Sequence, residues 1–166
     1  MTILEAVEFL DKEIPDKTKR LPEDVYFFLS RTTPLVNVDL LIKDKIGRTL
    51  LSWRDDGISE QGWHVPGSVV RFKETFEQSV KRCGLQEIGT EVKFNQEPIY
   101  VQQIIVSEWE NLAHHISFVY KCYLPKNFII NNKDKKQIDS GFLAWHDKFP
   151  DNMIKVHEFY RKFIDL

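Results

Sequence analysis

The chain predicts an α/β domain in which helices are layered on a mixed sheet. Three observations carry that expectation. Residues 35–42 alternate as a strand does, an amphipathic helix follows Glu74 and stops at Gly89, and further strand-like segments lie on both sides of that helix.

In chain order, Ile3, Ala6, Val7 and Leu10 stand at helical spacing and predict a first helix over residues 2–12. A basic, proline-containing linker runs from Pro15 to Arg20. Pro22-Glu23-Asp24 is a helix start, with proline and acids in the first turn, and the helix is expected to reach Phe28 and Leu29. In the 35–42 segment, Val36, Val38, Leu40 and Ile42 share one face; Leu35, Asn37, Asp39 and Leu41 share the other. Asp44-Lys45-Ile46-Gly47 turns the chain into a strand from Thr49 to Trp53, and residues 55–61 are a polar loop. The helix after Glu74 is expected to bury Phe76, Val80, Cys83 or Gly84, and Ile88, with Gly89 as its C′ stop. Residues 92–106 contain a strand broken near Pro98, residues 115–123 form another, and 124–138 are a polar loop. A closing helix over 150–163 puts Met153, Val156, Phe159, Tyr160 and Phe163 on one face.

The chain has 166 residues, enough for one domain with a sizeable core. Its 23 basic and 25 acidic residues give a net charge of −2, which argues against nucleic acid as a partner. An anionic ligand must then be held by a local site. Two cysteines, Cys83 and Cys122, are too few for a disulfide framework or a zinc site and read as reduced packing residues of a cytoplasmic protein. The acidic first residues do not form a signal peptide, and no stretch approaches about 20 apolar residues, so no membrane association is expected.

The chemistry concentrates between Trp63 and Thr90. A Pro66-Gly67 turn leads into a helix with a carboxylate near each end, Glu74 and Glu87. Mg²⁺ takes oxygen ligands, needs only one or two protein carboxylates, and completes its shell from water and phosphate. This arrangement suits a diphosphate carrying that ion.

Here the sequence resembles the Nudix box: a glycine, five residues, Glu, seven residues, then Arg-Glu-apolar-any-Glu-Glu-any-Gly. Glu74, Arg82, Glu87 and Gly89 fit that pattern, while Ser68, Cys83 and Gln86 depart from it. Within the superfamily the chain is similar to the GDP-mannose mannosyl hydrolases, which keep only the last glutamate of the triplet. Residues 31–39 (Arg-Thr-Thr-Pro-Leu-Val-Asn-Val-Asp), 50–54 (Leu-Leu-Ser-Trp-Arg), Gln61-Gly62-Trp63, Val65-Pro66-Gly67 and Lys73-Glu74-Thr75 carry that similarity. It covers about residues 31–147.

The resemblance implies a Nudix-like α/β/α sandwich with a mixed β-sheet over residues 31–166, preceded by an N-terminal helical extension, 1–30. It implies an Mg²⁺-dependent hydrolase that splits a nucleotide-sugar substrate at the C–O bond, and a homodimer. A turn carbonyl at Gly67 or Ser68, together with Glu74, Glu87 and Gln137, makes up the metal candidates. Arg54 is the phosphate-contacting arginine, and Asp39 contacts sugar or nucleotide. The subfamily's second arginine is Val69 here, so Arg71 is its substitute. His115 is a further substrate-binding candidate. The water-activating base is Asp139, His114 or His115, because the loop at 136–141 holds no histidine. Arg82 is expected to fold back on Glu74 and lock loop to helix. Two rivals stand beside this reading: ordinary P–O cleavage of a nucleoside diphosphate derivative, and a degenerate domain that binds without turnover.

Overall fold

A computed structural model describes residues 1–165. The elements in order are α1 (Ile3–Glu13), α2 (Glu23–Ser30), β1 (Leu35–Ile42), β2 (Thr49–Arg54), β3 (Gly62–His64), β4 (Gly67–Val69), α3 (Phe76–Cys83), a π turn (Gly84–Ile88), β5 (Lys93–Phe94), β6 (Tyr100–Ile105), β7 (His114–Tyr123), β8 (Leu143–His146), a 3₁₀ segment (Lys155–Tyr160) and α4 (Arg161–Ile164).

β1 organises the larger sheet. It runs parallel to β7 over its whole length and antiparallel to β4, and β7 carries β5 and β6 antiparallel along its two halves. That makes a mixed five-stranded sheet. A second sheet, ordered β3-β2-β8, is antiparallel.

The alternation read in β1 decides where the core lies. Val38, Leu40 and Ile42 join Leu50, Val80 and Cys83 in one cluster under α3. Leu41, from the other face, joins Leu51, Trp63, Tyr160 and Ile164 in a second cluster under the C-terminal segment. The sheets are therefore covered on both sides, the α/β/α sandwich expected from the sequence. Each fully buried aliphatic side chain contributes about 1.5–3 kcal/mol of transfer free energy.

Three local readings need correction. The closing helix does not begin at Pro150: Met153 pairs with Trp63 as an isolated bridge, and helical backbone begins only at Lys155, first as 3₁₀. The pairing holds residues 152–154 extended against β3, where Trp63 and Asn152 also share a backbone hydrogen bond. Phe76 is not core; it is 38% exposed and leans on Phe118, with ring centroids 4.6 Å apart. Strands β3, β4 and β8 were not foreseen. Each has three or four residues, too few to display a period.

α1 forms as its spacing predicts, closed by a Thr2–Glu5 capping box, yet it buries nothing and leaves Ile3, Val7 and Leu10 exposed. Cys83 and Cys122 are free and buried, and burial pushes the Cys122 thiol up to about 12. No described helix is long and apolar enough to cross a membrane.

Candidate functional site

The segment from Gly67 to Gly89 is organised by one guanidinium. α3 starts where Thr75 and Gln78 cap each other reciprocally, side chain to backbone. One residue before its end, Arg82 reaches back across the preceding loop. It donates to both Glu74 carboxylate oxygens at 2.6 and 2.8 Å, to the Ser68 hydroxyl at 2.7 Å and to the Val69 carbonyl at 2.9 Å. The Arg71 N–H also donates to Glu74. Hydrogen bonds from Arg82, above all, pull the Glu74 carboxyl down to about 2. The expected lock between loop and helix is present. Glu74 is wholly committed to it and would have to leave the pair to ligate an ion.

Beyond Cys83 the helix widens into the π turn, closed by Gly89 at φ 80°, whose N–H donates to the Gly84 carbonyl. Single π turns of this kind accompany functional sites in many helices. Glu87 sits on it. Unlike Glu74, its carboxylate makes no hydrogen bond or ion pair with any described residue, and burial pushes it up from the usual glutamate range. Arg54, Lys135 and Arg82 lie close enough to favour its charge.

Glu87 lines a cavity of about 800 Å³. Of the residues singled out in the sequence, Asp39, Arg54, Ser68, Arg71 and His115 line it too. Asp39, only 2% exposed, is held at the floor against Gly67 and accepts the Tyr160 hydroxyl at 2.7 Å. A Cβ at Gly67 would meet the Asp39 carboxylate at 2.2 Å, so only glycine fits there. Burial raises the Asp39 carboxyl to about 6. Arg54 leans toward Asp56 at 3.6 Å, without a hydrogen bond.

The other candidates lie elsewhere. Gln137 and Asp139 are outside the cavity lining; Asp139 closes its own turn by accepting the Lys136 N–H at 2.7 Å. Lys135, just ahead of them, shares a second cavity with Glu87, about 450 Å³ in volume, and favours its charge. His114 is also outside the large cavity, paired with Gln103. His115 is inside, but its Nε2 donates to the Leu112 carbonyl at 2.7 Å and its Nδ1 meets Asn37 at 3.2 Å. Burial lowers its basicity. It props the Leu112 bend, where φ is 57°, a strained value for leucine.

Sequence reasoning missed His157, whose buried ring lines the cavity and whose Nδ1 accepts the Val65 N–H at 3.0 Å. It missed Tyr26 and Leu29 as well; α2 is part of the cavity wall. A helical histidine 92 residues from its partner leaves no local signal.

The donor set fits a particular kind of ion. No described group of three or more His, Cys, Asp or Glu side chains is placed to hold a metal. One half-buried carboxylate, Glu87, has no described partner. In the β1–β4 ladder, Leu40 N–H binds Pro66 and Val70 N–H binds Val36, so alternation turns the Gly67 carbonyl away from β1. One carboxylate and one carbonyl suit an Mg²⁺ ion that arrives with phosphate and keeps its waters.

Comparison with known proteins follows the same line. A Nudix-family hydrolase from Clostridium perfringens superposes at a TM-score of 0.58 with 18% identity, over 80% of this chain and 97% of that one. The MutT protein from Methanosarcina mazei Go1 gives 0.58 at 17%, over 80% and 92%. The fold is that of the Nudix hydrolases. A UDP-X diphosphatase shares it at 0.57 and 18% identity, over 97% of this chain and 76% of that one. No family model matches the sequence. The low-salt glycan biosynthesis protein Agl8 of Haloferax volcanii is 35% identical over 75 residues, a match spanning 45% of this chain and just under half, 47%, of that protein. On the Nudix fold, the helix bearing Arg82 and Glu87 and the loop bearing Gly67 come together at one end of the large cavity.

Proposed function

We propose that the protein is a magnesium-dependent hydrolase of nucleoside-diphosphate sugars, of the GDP-mannose type, releasing nucleoside diphosphate and free sugar by C–O cleavage. One observation carries this reading: Glu87 is a half-buried, uncommitted carboxylate on a cavity that also presents Arg54 and Arg71, while Glu74 is tied to Arg82. One carboxylate is a thin shell for P–O chemistry, which leans on several acids to hold metal and activate water. It suffices where the ion has only to assist a diphosphate leaving group. The glycan biosynthesis relative supports a sugar-linked substrate.

Bound magnesium supplies charge neutralisation of the departing diphosphate. Glu87 and the Gly67 carbonyl are the groups that would hold it. Arg54 and Arg71 donate to phosphoryl oxygens and stabilise the charge that grows as the bond breaks. Water attacks the anomeric carbon, and the C–O electron pair leaves with the phosphate oxygen. Asp39, its carboxyl raised to about 6, receives the water's proton; a group with that affinity is mostly ionised at neutral pH yet basic enough to serve. The reading includes a homodimer, supported by the uncovered apolar stripe of α1.

The test is incubation with GDP-mannose and Mg²⁺ in water enriched in heavy oxygen. GDP and labelled mannose are expected. GMP with label in phosphate would replace this reading by P–O cleavage, and ligand-dependent stabilisation with no product would make the domain a binding module.

A further inference from the structure

The first twenty residues precede the segment that carries the family resemblance, yet part of them reaches the site. Lys17, Lys19 and Arg20 line the large cavity beside Tyr26 of α2. The linker is folded back there. Asp16 binds the Thr18 N–H and hydroxyl, and Lys17 pairs with Asp11 of α1 at 2.8 Å.

The basic groups of this wall differ in one respect. Lys17 is paired with Asp11, and Lys19 leans on Asp16 at 3.5 Å. Arg20 forms no ion pair or hydrogen bond with any described side chain. It lines the cavity with Tyr26 and Arg54, and both guanidinium charges act on that phenol. Asp56 lies 3.6 Å from the Arg54 guanidinium and the exposed Glu23 lines the same cavity, while Asp56 and Glu60 are also held by backbone. Asp56 accepts the Ile58 and Ser59 N–H groups, and Glu60 accepts the Lys155 N–H at 2.6 Å. Two guanidinium groups thus line one cavity with Tyr26, and Arg20 has no described ion-pair partner. Like charges brought together repel unless an anion sits between them. Arginine offers planar, paired N–H donors that match phosphoryl oxygens.

We propose that Arg20 is a ligand-binding residue of the cavity, which together with Arg54 grips a phosphoryl group of a nucleoside diphosphate beside Tyr26. This makes the N-terminal linker part of the substrate site and gives residues 1–20 a role in affinity. It also supplies a cation where the sequence carries Val69 instead of a second loop arginine. The inference rests on the proposed function, since it takes the ligand to be a diphosphate.

The experiment uses the full-length chain and the variants Arg20→Gln, Arg20→Lys and, as a control outside the cavity, Lys45→Gln. GDP with Mg²⁺, and inorganic pyrophosphate with Mg²⁺, are titrated calorimetrically. GDP-mannose turnover is then followed. For Arg20→Gln, Kd for GDP is expected to rise about tenfold and KM in step, with kcat within about twofold and an unchanged melting temperature. Arg20→Lys should recover part of the affinity, because charge remains while the paired donors are lost. Wild-type binding of GDP with an unaltered Kd in Arg20→Gln would overturn this inference and leave the proposed function standing. Failure of the wild type to bind either probe would overturn both.

Discussion

Glu74 and Glu87 belong to the same loop–helix unit and have opposite electrostatic fates. Glu74 meets the Arg82 fork with both oxygens, and its carboxyl is pulled down to about 2. Glu87 meets no hydrogen-bond donor and its carboxyl is pushed up by burial. The first arrangement lowers the energy of the folded chain. The second costs stability, because a half-buried charge lacks a partner. A chain that keeps such a charge gains from it when a cation arrives. The contrast separates what holds the site in shape from what the site is for.

The contrast breaks most visibly at Glu87. Glu87→Gln is expected to reduce GDP release by roughly 10²–10³-fold, the scale on which a charge-stabilising group acts, while the melting temperature holds or rises. Loss of stability along with activity would move Glu87 into the structural class. The reverse pattern belongs to Glu74. Glu74→Ala leaves Arg82 without its main acceptor and should cost about 3 kcal/mol in chemical denaturation. Because the folded Glu74 carboxyl lies below its unfolded value, its contribution is complete above the glutamate range. It fades as pH falls from about 4.5 through about 2. The variant should therefore lose the acid sensitivity that the wild type shows in that window.

Asp39 sharpens the comparison from a third position. Its folded carboxyl is raised from 3.8 to about 6, so the folded state holds the proton more tightly and stability drops as pH climbs between those values. That shift corresponds to about 3 kcal/mol at neutral pH. Asp39→Asn removes the charge but adds an amide N–H in need of an acceptor. A net gain of about 1–2 kcal/mol is expected at pH 8, vanishing near pH 4, with turnover abolished. In the wild type, kcat/KM should rise through about pH 6; a flat profile there would remove Asp39 as base. Smallest is Phe76→Ala, about 1 kcal/mol, since this partly exposed ring only leans on Phe118.

Legibility in the sequence followed the range of the interaction. β1 was readable because alternation is local, and it placed Asp39 on the face away from Val38 and Leu40. The Arg82–Glu74 pair was readable through the family resemblance, whose box holds the two residues at this separation. Gly89 was readable because a left-handed stop wants glycine. Short strands β3, β4 and β8 were not, since their pairing partners, not their residues, define them. Of the loop at 131–141, the sequence pointed to Gln137 and Asp139, whereas Lys135 is the side chain that nears Glu87. Where a loop folds depends on long-range packing that spacing does not encode. His157, Tyr26 and Arg20 reach the cavity from the two ends of the chain for the same reason.

The widened turn at Gly84–Ile88 holds one amino acid more than an ordinary helical turn would between the same two hydrogen-bonded ends. Removing the outward-facing Leu85, 52% exposed, would let the coil tighten and swing position 87 about a quarter of a revolution around the axis. Arg82, lying upstream, would stay where it is. The aim of the lone acid therefore depends on chain length at a position whose own side chain is half exposed, and a single-codon deletion there would redirect it without altering any ligand.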